Sequence, residues 1–335
     1  MANIVILGSG GFGLSLAITA FKTGKHEVTV WSKFQEEIDE IRLKGEHIHK
    51  LPGVAIPPEI HLTSDISCIS GCDILLFGIP SSFLRSVAEL AKPYVTKDMV
   101  VVNSGKGIEE GSLKLLSQVI KEELRTEKLV VLSGPSHAEE VARSIPTAIV
   151  AASEDKEAAR YIQEQLGSNN LRIYLNDDVI GCELGGALKN IIALCCGICL
   201  GMGYGDNTKA ALMTRGIHEI MRLGVAAGAD IITFGGLTGL GDLIVTCTSL
   251  HSRNARAGKL IGEGIEPAEA VRQVGTVEGY WCCHTAYELA KKLGVEMPIT
   301  EQLNEVLFNG GKVQDAMQKL MSRPMIYEYD DIISG

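Results

Sequence analysis

Six residues near the start of the chain constrain its fold more than any others. Gly8-Ser9-Gly10-Gly11-Phe12-Gly13 follows directly on the apolar run Ile4-Val5-Ile6-Leu7 and leads into an apolar helical stretch, Leu14 to Phe21. A bare G-x-G-x-x-G is weak, but strand, glycines, helix and a second strand at Glu27 to Trp31 arrive in the order a dinucleotide-binding βαβ unit requires. In such a unit Gly8 permits the tight turn, Gly10 lets the backbone approach a pyrophosphate at the helix N-terminus, and Gly13 allows close packing of helix on strand. An ordinary glycine turn is the alternative.

The first half of the chain continues this rhythm. Short runs at Ile74–Gly78, Val100–Asn103, Val130–Leu132 and Ala148–Ala151 alternate with helical stretches, as in a mostly parallel sheet with crossover helices. Ile74-Leu75-Leu76-Phe77 is apolar throughout, as expected of a strand covered on both faces. Leu51-Pro52-Gly53 to Pro57-Pro58 breaks the rhythm and reads as a surface loop. Beyond about Asp178 the strand signal ends. Helices are expected at 179–201, 209–227, 266–274, 283–293 and 300–308, separated by glycine-rich turns. The expected architecture is an α/β Rossmann domain over 1–178 and an all-α domain over 179–335, with the active site between them.

Composition narrows the function. The formal net charge is −10, which argues against a broad basic nucleic-acid footprint, so an anionic ligand needs a local cationic cluster. The longest apolar stretches, such as Ile191 to Gly201, are interrupted by glycine and fall short of the roughly 20 residues of a spanning helix, so no membrane insertion is expected. No secretory signal follows Met1, and a cytoplasmic location is expected. Nine cysteines suit reduced thiols better than a disulfide framework. Cys196 and Cys199 form a C-x-x-C without a second pair at zinc spacing, so no metal site is expected.

At the end of the second strand stands Trp31-Ser32-Lys33, where NAD-selective sites usually carry a carboxylate for the ribose hydroxyls. Ser32 and Lys33 are suited to a 2′-phosphate, so NADP(H) is expected to be accepted alongside or instead of NAD(H). A solvated loop lysine is the other reading of Lys33. Two further lysines have telling settings. Lys106 lies in Asn103-Ser104-Gly105-Lys106-Gly107, at the carboxyl edge of a strand where open α/β sheets bind ligands. Lys189 lies among small and apolar residues in Glu183 to Asn190. Reduction of a ketone by hydride builds negative charge on the carbonyl oxygen and calls for a proton donor with positive charge beside it. Asp242 and Thr246, four residues apart, share one face if Gly241 opens a helix. Asp242 would then orient Lys189 and Thr246 would bond a substrate hydroxyl, although Asp after Gly is also a common N-cap. Arg253 offers a planar fork suited to phosphate, with Ser252 and Asn254 as neutral donors.

The chain resembles the bacterial type of NAD(P)-dependent glycerol-3-phosphate dehydrogenase over nearly all its length. The resemblance is carried by Gly8 to Gly13, Lys106-Gly107, Leu132-Ser133-Gly134-Pro135-Ser136, Gly185-Gly186-Ala187-Leu188-Lys189-Asn190, Gly239-Leu240-Gly241-Asp242-Leu243 and Ser252-Arg253-Asn254. It implies interconversion of dihydroxyacetone phosphate and sn-glycerol 3-phosphate, feeding glycerophospholipid synthesis, with Lys189 as proton acceptor in the oxidative direction. It implies substrate contacts from Lys106, Gly134, Ser136, Lys189, Asp242, Ser252, Arg253 and Asn254. Cofactor contacts are implied for Gly11, Phe12, Lys33, Lys106, Ala138, Arg253, Thr276 and Glu278. A homodimer is the expected assembly. Two positions depart from the family pattern: Ser104-Gly105 before Lys106, where a Thr is usual, and His137 after Ser136, where Phe is common. Two other readings stand beside this one. One is a two-domain reductase of a hydroxy acid or sugar acid, which the phosphate-suited Ser252-Arg253-Asn254 disfavours. The other is a cofactor-sensing protein whose lysines no longer catalyse.

Overall fold

The computed structural model describes residues 1–249, 251–325 and 327–328. The end of the second expected domain, 329–335, lies outside the described residues. The chain forms two compact units, one of residues 1–105 and 116–179, the other of 106–115 and the chain from Ile180 onward.

The first unit holds an eight-stranded sheet: β1 (Ala2–Leu7), β2 (His26–Trp31), β3 (His61–Thr63), β4 (Ile74–Phe77), β5 (Val100–Asn103), β6 (Leu129–Ser133), β7 (Thr147–Ala152) and β8 (Leu171–Asn176). The order is β3-β2-β1-β4-β5-β6-β7-β8, parallel except where β7 runs antiparallel to β6. Its first six strands follow the 3-2-1-4-5-6 order of the doubly wound dinucleotide fold. Helices α1 (Gly11–Lys22), α2 (Gln35–Lys44), α3 (Leu84–Ala91), α4 (Leu116–Leu124), α5 (Ala138–Ala142) and α6 (Lys156–Leu166) connect the strands. Successive strand residues point to opposite faces, and β1 feeds two cores accordingly. Ile4 and Ile6 join Leu14, Ala17, Val28 and Val30, while Val5 and Leu7 join Leu75, Phe77, Leu84 and Leu116.

Two strands escape the sequence reading. β3 is three residues long, and β8 is an edge strand that alternates buried Leu171 and Ile173 with exposed Arg172 and Tyr174. Neither is the unbroken apolar run that marks the central strands. The 51–58 segment is a loop, yet Leu51, Val54 and Ile56 are buried in the core around α1 and α2. Its apolar side chains tie it down, so it is less a surface feature than its prolines suggest.

The second unit is helical: α7 (Val179–Gly201), α8 (Asp206–Ala226), α9 (Ile231–Phe234), α10 (Asp242–Thr248), α11 (Arg253–Gly262), α12 (Pro267–Val274), α13 (Glu278–Leu293), α14 (Pro298–Phe308) and α15 (Val313–Met321). A π-helical turn, Leu237–Gly241, leads into α10. The segment 106–115 belongs here because Ile108 and Leu115 pair across a short bridge and are buried in the helical core. The glycines of α7 do not interrupt it. It runs for 23 residues and, like Ile231–Thr248, is long and apolar enough to cross a membrane, so the length argument made on sequence fails. What characterises α7 is burial, 89% of its apolar window lying inside the protein.

The glycines of α7 serve close packing against α11. A Cβ on Gly197 or Gly201 would come within 2.2 and 2.1 Å of the carbonyl oxygens of Ala255 and Lys259. On the facing helix, a Cβ on Gly258 or Gly262 would meet those of Leu194 and Ile198 at 2.1 and 2.2 Å. Four-residue spacing on both helices thus brings two backbones into contact, offsetting the roughly 1 kcal/mol that each interior glycine costs a helix. Nearby, the buried carboxylate of Glu219 accepts from the N–H groups of Ile299, at 2.5 Å, and Thr300, at 3.2 Å, capping α14. Burial pushes its pKa up to about 7 despite those bonds.

Gly258→Ala should therefore force α7 and α11 apart and cost about 1–3 kcal/mol, the usual range for overpacking, read as a lower midpoint in urea unfolding. An unchanged midpoint would show that the two backbones do not touch at this position.

Candidate active site

The chemistry of the helical unit converges on one buried carboxylate. Gly241 ends the π turn and Asp242 begins α10, so Asp242 and Thr246 fall one turn apart, both buried. Asp242 Oδ1 accepts from Lys189 Nζ, and Oδ2 accepts from Lys106 Nζ at 2.5 Å. Lys189 comes from the middle of α7, and Lys106 from the first residue of the segment that leaves the sheet unit after β5. Lys189 Nζ also donates to Thr246 Oγ1 at 2.7 Å, and that hydroxyl donates back to the Asp242 carbonyl at 2.6 Å. Thr246 is thus occupied with Lys189 and its own helix, in the i to i−4 manner of helical threonines. Its remaining lone pair is what a substrate hydroxyl would meet.

Two ammonium groups thus meet on one carboxylate in a largely dry place. Burial drives the Lys189 pKa down to about 8 and Lys106 adds to the fall, while Asp242 opposes it. Asp242 goes the other way. Burial works against its charge, but the two lysines outweigh it and hold the carboxyl below its ordinary value. Lys189 is thereby a buried amine whose proton is exchangeable near neutral pH, the property required of a general acid and base.

The triplet Ser252, Arg253 and Asn254 forms the start of a helix. Ser252 caps α11, its Oγ accepting from the Ala255 N–H at 3.2 Å, which leaves its own hydrogen to donate. Arg253, exposed, opens the helix, so positive helix-terminal N–H groups and a guanidinium occur together. Asn254 is buried: Nδ2 donates to Asn190 Oδ1 at 2.9 Å and Oδ1 accepts from the Gly279 N–H at 2.8 Å. Asn190 was missed as a site residue, although it is a lone amide beside Lys189 in an apolar helix. Glu278 begins α13 next to Gly279, and Thr276 is exposed in the preceding loop.

The remaining candidates lie in the sheet unit, at the carboxyl ends of its strands. Gly8 takes φ +117°, and a Cβ there would stand 2.6 Å from the Gly78 carbonyl, so only glycine fits. A Cβ on Gly13 would meet the Gly8 carbonyl at 2.4 Å, so helix and turn are in backbone contact, whereas one on Gly10 would have nothing nearer than 3.7 Å. The N-terminus of α1 carries no side-chain cap and no acidic residue in its first turn. The cradle thus suits a dinucleotide pyrophosphate, with open N–H groups facing a glycine-lined space. Phe12 is half-buried and packs against the core that includes Ile4 and Leu14. Ala138, first residue of α5, stands against Gly11. In the same loop Gly134 adopts φ +130°, and Ser136 Oγ donates to its carbonyl at 3.0 Å. The Ser104-Gly105 departure has a structural account. Ser104 is buried with Oγ donating to the Phe77 carbonyl at 2.9 Å, and Gly105 is crowded by Asn103 Oδ1 and the Ile79 carbonyl.

Lys33 is exposed beyond β2, but Ser32 is buried and its hydroxyl donates at 2.5 Å to Glu37, a residue the sequence reading passed over. All nine cysteines are free, and Cys196 and Cys199 are packed inside α7.

Residues 3–159 match the family described as NAD-dependent glycerol-3-phosphate dehydrogenase N-terminus, and 178–318 match its C-terminus. A glycerol-3-phosphate dehydrogenase (NAD(P)+) of Desulfitobacterium hafniense is 47% identical over 99% of this chain and 94% of its own. That of Bacillus pumilus is 47% identical over 100% and 98%. A crystal structure of glycerol-3-phosphate dehydrogenase from Coxiella burnetii superimposes with a TM-score of 0.92 at 36% identity, over 96% of this chain and 99% of that one. With full-length relatives at nearly half identity and both halves of one family matched in order, this chain belongs to the NAD-dependent glycerol-3-phosphate dehydrogenases.

Proposed function

We propose that the chain interconverts dihydroxyacetone phosphate and sn-glycerol 3-phosphate with Lys189 as the group that gives and takes the proton at the substrate's C2 oxygen. The observation that carries this reading is the Lys106–Asp242–Lys189 arrangement, two ammonium groups on the two oxygens of one buried carboxylate. The nicotinamide dinucleotide, when bound, supplies or accepts the hydride. In reduction, negative charge develops on the carbonyl oxygen and the Lys189 ammonium donates its proton there, while Lys106 adds a second positive charge. In oxidation, neutral Lys189 takes the hydroxyl proton. Asp242 and Thr246 keep Nζ in one place throughout, and Asp242 makes the ammonium form affordable in a buried site.

The substrate phosphate is assigned to Arg253, Ser252 and the first turn of α11, with Asn254 fixed behind them by Asn190; Gly134 and Ser136 are proposed as further substrate contacts. Gly8, Gly10, Gly11, Phe12, Gly13, Lys33 and Ala138, with Lys106, Arg253, Thr276 and Glu278, are proposed to hold the cofactor. A homodimer is proposed on the exposed apolar residues Ile232, Leu240 and Ile244, and a cytoplasmic location on the nine free thiols.

With a Lys189 pKa of about 8, kcat/KM for glycerol 3-phosphate oxidation should rise with pH to a plateau above that value. The same constant for reduction should fall across the same range, since the protonated form is then lost. Asp242→Asn removes the charge that favours the ammonium, so both limbs should move to lower pH in whatever activity remains; limbs that stay put would show that another group titrates. Lys189→Ala should lower turnover roughly 10²- to 10⁴-fold, the usual worth of a positioned acid or base, with cofactor binding retained. Near-normal turnover would end the assignment.

Arg253→Ala should reduce kcat/KM for dihydroxyacetone phosphate by roughly 10- to 150-fold, from the 1.5–3 kcal/mol of a charged hydrogen bond. Lysine should restore only part of it, since an ammonium lacks the two-pronged planar donor. Unphosphorylated dihydroxyacetone should be affected much less, and equal losses on both substrates would place the phosphate elsewhere.

A further inference from the structure

The hydrogen bonds of Lys189 Nζ leave one corner of that nitrogen for the reacting atom. Nζ donates to Asp242 Oδ1 and, at 2.7 Å, to Thr246 Oγ1. Both partners are buried on α10, one turn apart, so two corners of the tetrahedral nitrogen are fixed, and the bond to Cε takes a third. In the ammonium form the fourth corner carries the proton given to the substrate oxygen. In the neutral form the same corner holds a lone pair. The neutral form is reached without stranding a charge, because Lys106 Nζ stays on Asp242 Oδ2 at 2.5 Å and continues to answer the buried carboxylate. Burial, with a smaller push from Lys106, brings the Lys189 pKa down to about 8 against the pull of Asp242. A desolvated amine beside a second cation is the setting in which lysines attack carbonyl carbons.

We infer, resting on the proposed placement of the substrate C2 oxygen at Lys189, that this lysine is also a nucleophile: with no dinucleotide bound, its neutral amine adds to C2 of dihydroxyacetone phosphate and holds the ketone as a reversible imine. Proton transfer needs no bond between nitrogen and carbon, so this is a second activity of the same group. The nitrogen lone pair forms the bond to C2 while the carbonyl π pair moves to oxygen. The two hydrogens of the amine then leave with that oxygen as water, and a C2–N double bond replaces the C2–O double bond. Nothing is oxidised or reduced, and water returns the ketone by the reverse path. sn-Glycerol 3-phosphate, whose C2 is saturated, fits the same place and forms no imine. The ligands captured in this way are small phosphorylated carbonyl compounds. The consequence is a form of the chain that keeps its keto substrate while the dinucleotide is away and is hydrolysed before the alcohol is made.

The test is trapping with cyanoborohydride, which reduces an imine to a stable secondary amine. The full chain, free of dinucleotide, is incubated with dihydroxyacetone phosphate and cyanoborohydride, and the modified lysines are located by mass spectrometry. The Lys189 peptide should gain the mass of dihydroxyacetone phosphate less one oxygen atom. It should do so roughly 10- to 100-fold faster than the peptide carrying Lys33, which is exposed, because a buried amine with a pKa of about 8 is substantially neutral near that pH and sits beside a bound ketone. Excess sn-glycerol 3-phosphate should suppress labelling at Lys189 and leave that at Lys33 unchanged. Lys189→Arg, which keeps a cation beside Asp242, should show only the slow labelling of exposed lysines. Labelling of Lys189 no faster than of Lys33, or labelling that sn-glycerol 3-phosphate does not suppress, would overturn the inference. If the same preparation still oxidises NADH or NADPH with dihydroxyacetone phosphate, the proton-transfer role of Lys189 survives that failure. No such oxidation by the unmodified chain would overturn the reading of the reaction and, with it, this inference.

Discussion

An ammonium group in the middle of a 23-residue apolar helix is stable only if something nearby answers its charge, and in this protein that is Asp242. Removing one partner of a buried ion pair typically costs about 3–5 kcal/mol because the other is left unanswered in a dry site. The second lysine changes the meaning of the pair. With Lys106 on the other carboxylate oxygen, Asp242 is shared between two ammonium groups, and burial lowers the Lys189 pKa to about 8. One carboxylate thus answers the charge of two amines from distant parts of the chain.

That geometry depends on helix packing at backbone distance. The matched glycines of α7 and α11 let the two helices approach without side chains between them. Because α7 carries Lys189 and Asn190, and α11 begins with Arg253 and Asn254, the same contact sets the spacing between these two pairs of residues. The Asn190–Asn254–Gly279 bonds extend the arrangement to α13. Helix spacing and site spacing are one constraint in this unit. The glycines that weaken each helix in isolation are what permit it.

The sheet unit is built with the same economy. Its central strands are buried on both faces, its glycine turn has no room for side chains at Gly8 or Gly13, and its first helix presents uncapped N–H groups. Charge at the edge of that turn is then managed by a single carboxylate, Glu37, which accepts from Ser9, Ser32, His47 and Lys50, as Asp242 manages it in the helical unit. In both places a nearly buried acid is held ionised by several donors, and the positive groups around it are restrained as a result.

Much of this was legible from sequence because the signals are local. The apolar runs of β1, β4, β5 and β6, the glycine turn, the length of α7 and the four-residue spacing of Asp242 and Thr246 each follow from backbone periodicity or from the absence of a Cβ, which neighbouring residues alone determine. Where the pattern was weaker, in the three-residue β3 and the alternating edge strand β8, the reading failed. Tertiary structure decided what no local pattern encodes: that Lys106 and Lys189 meet on the two oxygens of Asp242, that Thr246 is taken up by Lys189, that Ser252-Arg253-Asn254 starts a helix and leans on Asn190, and that Glu37 folds back to Ser9 and Ser32. These are contacts between residues up to 136 positions apart. The charge, hydrogen-bonding capacity and pKa of each group depend on which partner burial brings to it, and that choice is made only when the helices and strands pack.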